Sequence, residues 1–224
     1  MRKIFLTLVA VIIFVCQSVQ AQSSPQWVKN LSAARNSDQM IVVAWIQGTT
    51  AWISMHEKIN GDWQQIMTTP GFVGKNGLGK TREGDNKTPV GTFRFDFAFG
   101  IAPAPGCAIP YVQVNEHHYW SGDANYKYNQ FVDAGEAPAN FNKEDSEHLI
   151  DYNPHYLYAL NITYNPECTP GKGSAIFMHC FGTHKPWTGG CIALPEAKML
   201  FVMQHVRPDC VCVIDSAENL GAEL

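Results

Sequence analysis

The sequence predicts a mainly β fold with one or two short helices, and three observations carry that expectation. Eighteen Gly, 13 Pro and 12% aromatic residues in 224 positions describe a turn-rich chain suited to strands rather than to a helical bundle. Two stretches alternate with a period of two: Trp52, Ser54 and His56 against Ile53, Met55 and Glu57, and Phe93, Phe95, Phe97 and Phe99 along one face. Only residues 195–206, opened by Pro195, have the length and start of a convincing helix. At 46% hydrophobic and 16% charged, the chain can bury one sizeable core, which excludes extended disorder and leaves little charge for a polyanion surface. Nucleic acid is therefore not an expected partner.

The elements follow in order. Residues 1–21 read as a secretory signal: Arg2 and Lys3 precede an apolar run over 4–15, and Val19-Gln20-Ala21 offers a small-residue cleavage site. That run is shorter than the ~20 apolar residues a spanning helix needs. The expectation is export to the periplasm or cell envelope, cleavage after Ala21 and no stable membrane span. Cleavage removes Arg2 and Lys3 and no acid, taking the formal charge from −4 to −6. Residues 22–38 form a short polar lead-in. Strands are expected over 40–47 and 50–59, with Asn60-Gly61-Asp62 closing a hairpin toward Trp63. A Gly-rich loop spans 70–89, and a half-buried strand 91–99. Residues 101–147, rich in Pro, Asn, Asp and Tyr, are too long for an idle connection and read as an irregular lid or cleft wall. Strands at 155–164, 173–180 and 210–214 complete a domain over 39–215, with a tail at 216–224.

Three patterns need an answer before the catalytic one. Gly74-Lys75-Asn76-Gly77-Leu78-Gly79-Lys80-Thr81 fits a phosphate-binding loop by letter. Such a loop works by leading a strand into a helix N-terminus, and Arg82-Glu83-Gly84-Asp85-Asn86-Lys87-Thr88-Pro89 cannot start one, so no nucleotide is expected. Glu116-His117-His118 lacks a third ligand, and adjacent residues on a strand face opposite ways, so no metal site is expected. Asn161-Ile162-Thr163 is a glycosylation sequon by pattern alone. Beyond Cys16 six cysteines remain, which allow more connectivities than sequence can choose among. Cys107 and Cys168, both beside Pro/Gly turns, are the favoured pair. A free catalytic thiol leaves an odd number, so at least one other cysteine stays unpaired.

The informative stretch is Phe177-Met178-His179-Cys180 followed by Trp187-Thr188-Gly189-Gly190-Cys191. Alternation puts His179 with Phe177 and Cys180 with Met178, so the histidine's thiol partner is Cys191 rather than its neighbour. An imidazole lowers a thiol's pKa and shuttles its proton, which makes Cys191 the expected nucleophile and the fastest-labelling thiol, and His179 its base. His184, on the intervening loop, is the competing base. The N–H groups of Gly189, Gly190 and Cys191 could converge on an oxyanion. Thr188 and Trp187, with Trp120 and Tyr119 from the lid, are the expected cleft residues. A structural cysteine in a Gly turn is the competing reading.

At these residues the sequence resembles the L,D-transpeptidase catalytic domain (the YkuD type), marked by a strand His, a loop, then [S/T]-x-G-C and an apolar residue. Gly77-Leu78-Gly79, Glu83-Gly84-Asp85 and Lys87-Thr88-Pro89-Val90-Gly91-Thr92-Phe93 resemble a second family stretch, and the likeness covers about 39–215. It implies a β-sandwich carrying Cys191 and His179 in a cleft, action on peptidoglycan stem peptides with an acceptor amine, and no metal or organic cofactor. It implies acyl transfer through a Cys191 thioester. An L,D-carboxypeptidase, in which water takes the thioester, is the alternative, and a silent wall-binding module the next. The chain departs from the pattern at Gly189, where many members have a second His, and at Ala193, where many have Asn or Arg. A backbone carbonyl near Cys180 or Phe181 is expected to orient the imidazole.

Overall fold

The computed structural model describes residues 22–182 and 185–223; the expected signal and its cleavage site, and His184, lie outside the described residues. The strands are β1 (Gln22–Ser23), β2 (Gln39–Gln47), β3 (Thr50–Ile59), β4 (Asp62–Phe72), β5 (Gly91–Gly100), β6 (Tyr111–Gln113), β7 (His118–Trp120), β8 (Phe131–Asp133), β9 (Glu147–His148), β10 (Ala159–Ile162), β11 (Phe177–Cys180), β12 (Ile192–Leu194) and β13 (Val211–Ser216). The helices are α1 (Gln26–Asn30), α2 (Glu196–His205) and α3 (Ala217–Leu220).

Eight strands follow one another round the sheet as β3-β4-β12-β11-β10-β5-β13-β2, and β2 pairs with β3 to close it; β1 adds to β4 and β6 to β5. The mainly β expectation holds, but the sheet is closed and barrel-like where a sandwich was expected. The cause lies in the β2-β3-β4 meander, turned at Asn60 and Gly61, both at positive φ. Register shifts between Trp45 and Gln47 and between Met55 and His56 bend these long strands. The far end of β4 thereby reaches Ala193 of β12 through Phe72.

A second irregularity decides which residues face the site. β10 advances two residues from Leu160 to Ile162 while β5 advances three from Phe95 to Ala98, so β5 carries one extra residue. Its pleat inverts there. Phe93 and Phe95 pack with the interior, whereas Phe97 and Phe99 pack outside with Trp120 and Phe177, so the four phenylalanines do not share the single face their spacing suggests.

The interior holds Ile41, Val43, Ile53, Met55, Leu160, Met178, Cys180, Ile192 and Leu194, with Met199, Val202 and Met203 of α2 against them. α1 and α3 cover the outer face of β2 and β13, so the expected tail 216–224 carries a short helix, N-capped by Ser216. His56, fully buried, bridges the hydroxyls of Ser24 and Ser54 at 2.8 Å each and pins the lead-in to the barrel.

The 101–147 segment is more ordered than its composition suggests. It contains β6 and the three-stranded antiparallel sheet β8-β7-β9, completed by Glu147 and His148. Trp120 ties this sheet to the barrel, its ring 4.8 Å from Phe177 and 6.2 Å from Phe99. Each fully buried Phe here contributes about 1.5–3 kcal/mol by leaving water, so the layer is anchored by its aromatics.

Candidate active site

β11 and β12 run parallel with Met178 opposite Ile192, His179 opposite Ala193 and Cys180 opposite Leu194. One step back, the Phe177 N–H donates to Cys191 Sγ at 3.3 Å. The pleat therefore puts Phe177, His179 and Cys191 on the outer face under the lid, and sends Met178, Cys180, Ile192 and Leu194 into the barrel. His179 and Cys191 line one cavity of about 680 Å³, together with Thr188, Gly189, Trp187 and Trp120. Tyr119 does not reach it. Its ring stacks on His148 at 4.5 Å and meets Phe141 edge-on, because it sits one residue from Trp120 on β7 and points the other way.

The imidazole is held in a defined state. His179 Nδ1 lies 2.7 Å from the Cys180 carbonyl, which can only accept, so the proton is on Nδ1 and Nε2 carries a free lone pair. Burial holds the ring down at about 4, partly offset by that carbonyl. The rings of Tyr156 and His155 meet it edge-on at 5.3 and 5.9 Å. The orienting carbonyl is thus one of the two expected from sequence.

The thiol differs from expectation. Cys191 is 7% exposed and donates to the Ala175 carbonyl at 3.1 Å. Burial first, and then the neighbouring Glu147 carboxyl, push it up to about 12 against the opposing Phe177 N–H. The resting pair is neutral thiol and neutral imidazole, not the ion pair the sequence suggested. Consequently a small neutral alkylating reagent at pH 8 should modify the half-buried Cys168 first and Cys191 at least about tenfold more slowly, read by peptide mass mapping. Prior labelling of Cys191 would show an ionised thiol.

The turn before β12 is held by the Gly-rich loop. The Thr188 N–H donates to the Val73 carbonyl and the Lys75 N–H to the Thr188 carbonyl, at 3.0 and 2.9 Å, while Thr88 Oγ1 donates to the Gly190 carbonyl at 2.7 Å. Gly190 has φ +147°, and a Cβ there would meet the Lys87 carbonyl oxygen at 2.8 Å, so only glycine fits. Its N–H is taken by Thr188 Oγ1 at 3.1 Å. The expected three-donor oxyanion site therefore reduces to the N–H groups of Gly189 and Cys191, for which no backbone acceptor occurs among the described residues. A Cβ on Gly189 would meet nothing within 4 Å, so open space stands where the resemblance has a second His.

Within the same loop Lys80 pairs with Asp85 at 3.0 Å, their side chains 2% and 6% exposed. Burial alone would raise Asp85, but N–H donors from Thr81, Lys87 and Arg82 and the Lys80 ammonium hold it at about 2. The lysine of the phosphate-loop pattern is thus bound within its own loop. Lys75 and Lys185 place their ammoniums 5.2 and 5.1 Å from the Trp187 ring at the cavity rim.

The favoured disulfide does not form: all six cysteines are free. Cys107 packs against the barrel core, while Cys168 lies in its own turn beside the Pro166 and Asn129 carbonyls. Among the described residues no three His, Cys, Asp or Glu side chains gather as a metal site, and no helix is long and apolar enough to cross a membrane.

Sequence reasoning missed Glu147, Tyr152 and Tyr156, which line the cavity beside the thiol. A two-residue strand and a short 3-10 turn at His155–Leu157 leave no periodic signal.

A family model described as the L,D-transpeptidase catalytic domain matches residues 48–214. No curated protein matches significantly. Similar solved structures include Bd1075 of Bdellovibrio bacteriovorus, at 14% identity and a TM-score of 0.44 over 88% of this chain and 52% of that one. Another is the helical cell shape determining protein Pgp2 from Campylobacter jejuni, at 17% and 0.42 over 85% and 54%. A third is an L,D-transpeptidase (Yku) from Stackebrandtia nassauensis, at 14% and 0.35 over 85% and 63%. The chain spans between half and two thirds of their lengths.

Proposed function

We propose a function from one premise: this chain belongs to the L,D-transpeptidase catalytic domain family, a family of cell wall enzymes. The reading is an exported cysteine acyltransferase acting on peptidoglycan stem peptides, with Cys191 as nucleophile and His179 as general base and then acid. The observation that carries it is the shared outer face of β11 and β12, where an imidazole with a free Nε2 and a thiol open into one cavity.

In this reading the stem peptide displaces water from the cavity and brings its scissile carbonyl over Cys191. His179 Nε2 takes the thiol proton as sulfur bonds to the carbonyl carbon, so no free thiolate is needed beforehand. The N–H groups of Gly189 and Cys191 receive the oxyanion. The imidazolium then protonates the departing amine, leaving a thioester. An acceptor amine resolves it, His179 taking and returning one proton. Cys191 at 7% exposure favours transfer, since water meets the thioester only through the cavity.

Incubating purified protein with tetrapeptide muropeptides, with and without a D-amino acid, tests this by mass spectrometry. Exchanged or dimeric products are expected. Tripeptide alone would make the protein the L,D-carboxypeptidase, and unchanged muropeptides with unmodified Cys191 would sink the enzymatic reading.

A further inference from the structure

One wall of the cavity is a carboxylate framed by aromatic rings. Glu147 lines it from β9, directly opposite Trp120 in the β7–β9 ladder. Tyr152 and Tyr156, stacked at 4.6 Å, line it beside them. Tyr156 donates to Glu147 Oε2 at 2.7 Å, while no donor reaches Oε1 and no cationic side chain pairs with this carboxyl among the described residues.

A carboxylate without a counter-ion, among aromatic side chains lining a cavity, has the chemistry that holds an ammonium. The charge attraction is weakly screened there, and ring faces add cation–π attraction. The cations nearby are committed elsewhere, Lys80 to Asp85 and Lys185 to the Trp187 face.

We infer that Glu147, with Trp120, Tyr152 and Tyr156, forms a subsite for a primary ammonium beside Cys191, which selects a cationic amine as the acceptor. The role as acceptor site rests on the acyl-transfer reading; the subsite itself does not. The docked ammonium gives one proton to Glu147. The resulting amine loses a second to His179 Nε2 as its nitrogen bonds to the thioester carbon and the C–S bond breaks. His179 returns that proton to the Cys191 sulfur, and Glu147 releases its own to solvent.

The groups facing Glu147 agree with this role. Burial, offset in part by the Tyr156 hydroxyl and reinforced by Glu83 on the Gly-rich loop, raises its carboxyl to about 7. Tyr152 and Cys191 face it as neutral acids held up by burial. An ammonium restores the ionised carboxylate, so cation preference should strengthen as pH rises through about 7.

The test reads Cys191 itself. The full chain is treated at pH 8 with aminoethyl, methyl and sulfonatoethyl methanethiosulfonate, which are cationic, neutral and anionic, and modification of the Cys191 peptide is timed against that of Cys168. The cationic reagent should lead the anionic one by at least about tenfold on Cys191. Glu147→Gln, which keeps an acceptor for Tyr156, should collapse that ratio toward one, and the neutral rate should not fall, because the carboxyl that holds the Cys191 thiol up is gone. Glu147→Asp, which keeps the charge, should retain the preference and covers the case in which the Gln variant misfolds. An equal ratio in wild type and Glu147→Gln, or loss of the neutral reaction in a folded Glu147→Gln, overturns the subsite. A collapsing preference in a protein that leaves muropeptides unchanged supports the subsite and overturns the transferase reading instead.

Discussion

Changing Cys191 to Ser is expected to drop muropeptide turnover to background, a loss of at least about a thousandfold, with the melting temperature nearly unchanged. The hydroxyl can replace the thiol as donor to the Ala175 carbonyl, so folding loses little. Chemistry loses nearly everything, because a neutral imidazole held down at about 4 is too weak a base for an alcohol in a dry site. His179→Gln should cost about a hundred- to ten-thousandfold: its amide can still donate to the Cys180 carbonyl but cannot accept a proton. The pH profile of acyl-enzyme formation carries the sign. Protonating His179 disables the base, so the rate should hold as pH falls from 7 to 5 and decline toward about 4. Mass spectrometry of products and of the Cys191 peptide checks all three, and a Ser variant that turns over substrate would refute the assignment.

The second large effect is structural. Asp85→Ala leaves the Lys80 ammonium buried without its partner, and removing one member of such a pair costs about 3–5 kcal/mol. A denaturant midpoint measures it, and Lys80→Met combined with Asp85→Asn should cost less than Asp85→Ala alone. The Asp85 carboxyl is held down at about 2, against an ordinary 3.8. Its contribution is therefore present above pH 3.8 and lost as pH falls through about 2. Because the same loop bonds Thr188 and Gly190, Asp85→Ala should also lower Cys191 reactivity toward muropeptides. Unchanged stability would mean that the pair holds nothing in place.

What the sequence could tell follows from which interactions are local. Alternation identified β3 and most of β5, the run before them read as β2, and a Pro-led segment identified α2. The pairing of His179 with Cys191 was legible because parity along a strand depends on counting alone. Barrel closure was not, since it rests on Phe72 meeting Ala193 across 121 positions of chain. Nor was the split among the four phenylalanines, because the extra residue in β5 is visible only against its partner strand. Tyr119 and Trp120 were read together as cleft residues, though neighbours on a strand cannot both face one cavity. The thiol's protonation escaped for the same reason as Glu147: both depend on a lid folded back from a distant segment.

The burial of the thiols also bears on the proposed reading, in which a thiol enzyme would have to endure outside the cytoplasm. An oxidising compartment attacks thiolates, and oxidation follows ionisation and exposure. Cys180, Cys210 and Cys212 are buried and shifted upward by burial, where neither peroxide nor another chain's sulfur reaches them readily. Cys191 is held up by burial in the same way, and in the proposed mechanism it loses its proton only when a substrate occupies the cavity. In that reading the wall built from 101–147 would serve as storage as well as access control, keeping the sulfur reduced between turnovers without a partner disulfide.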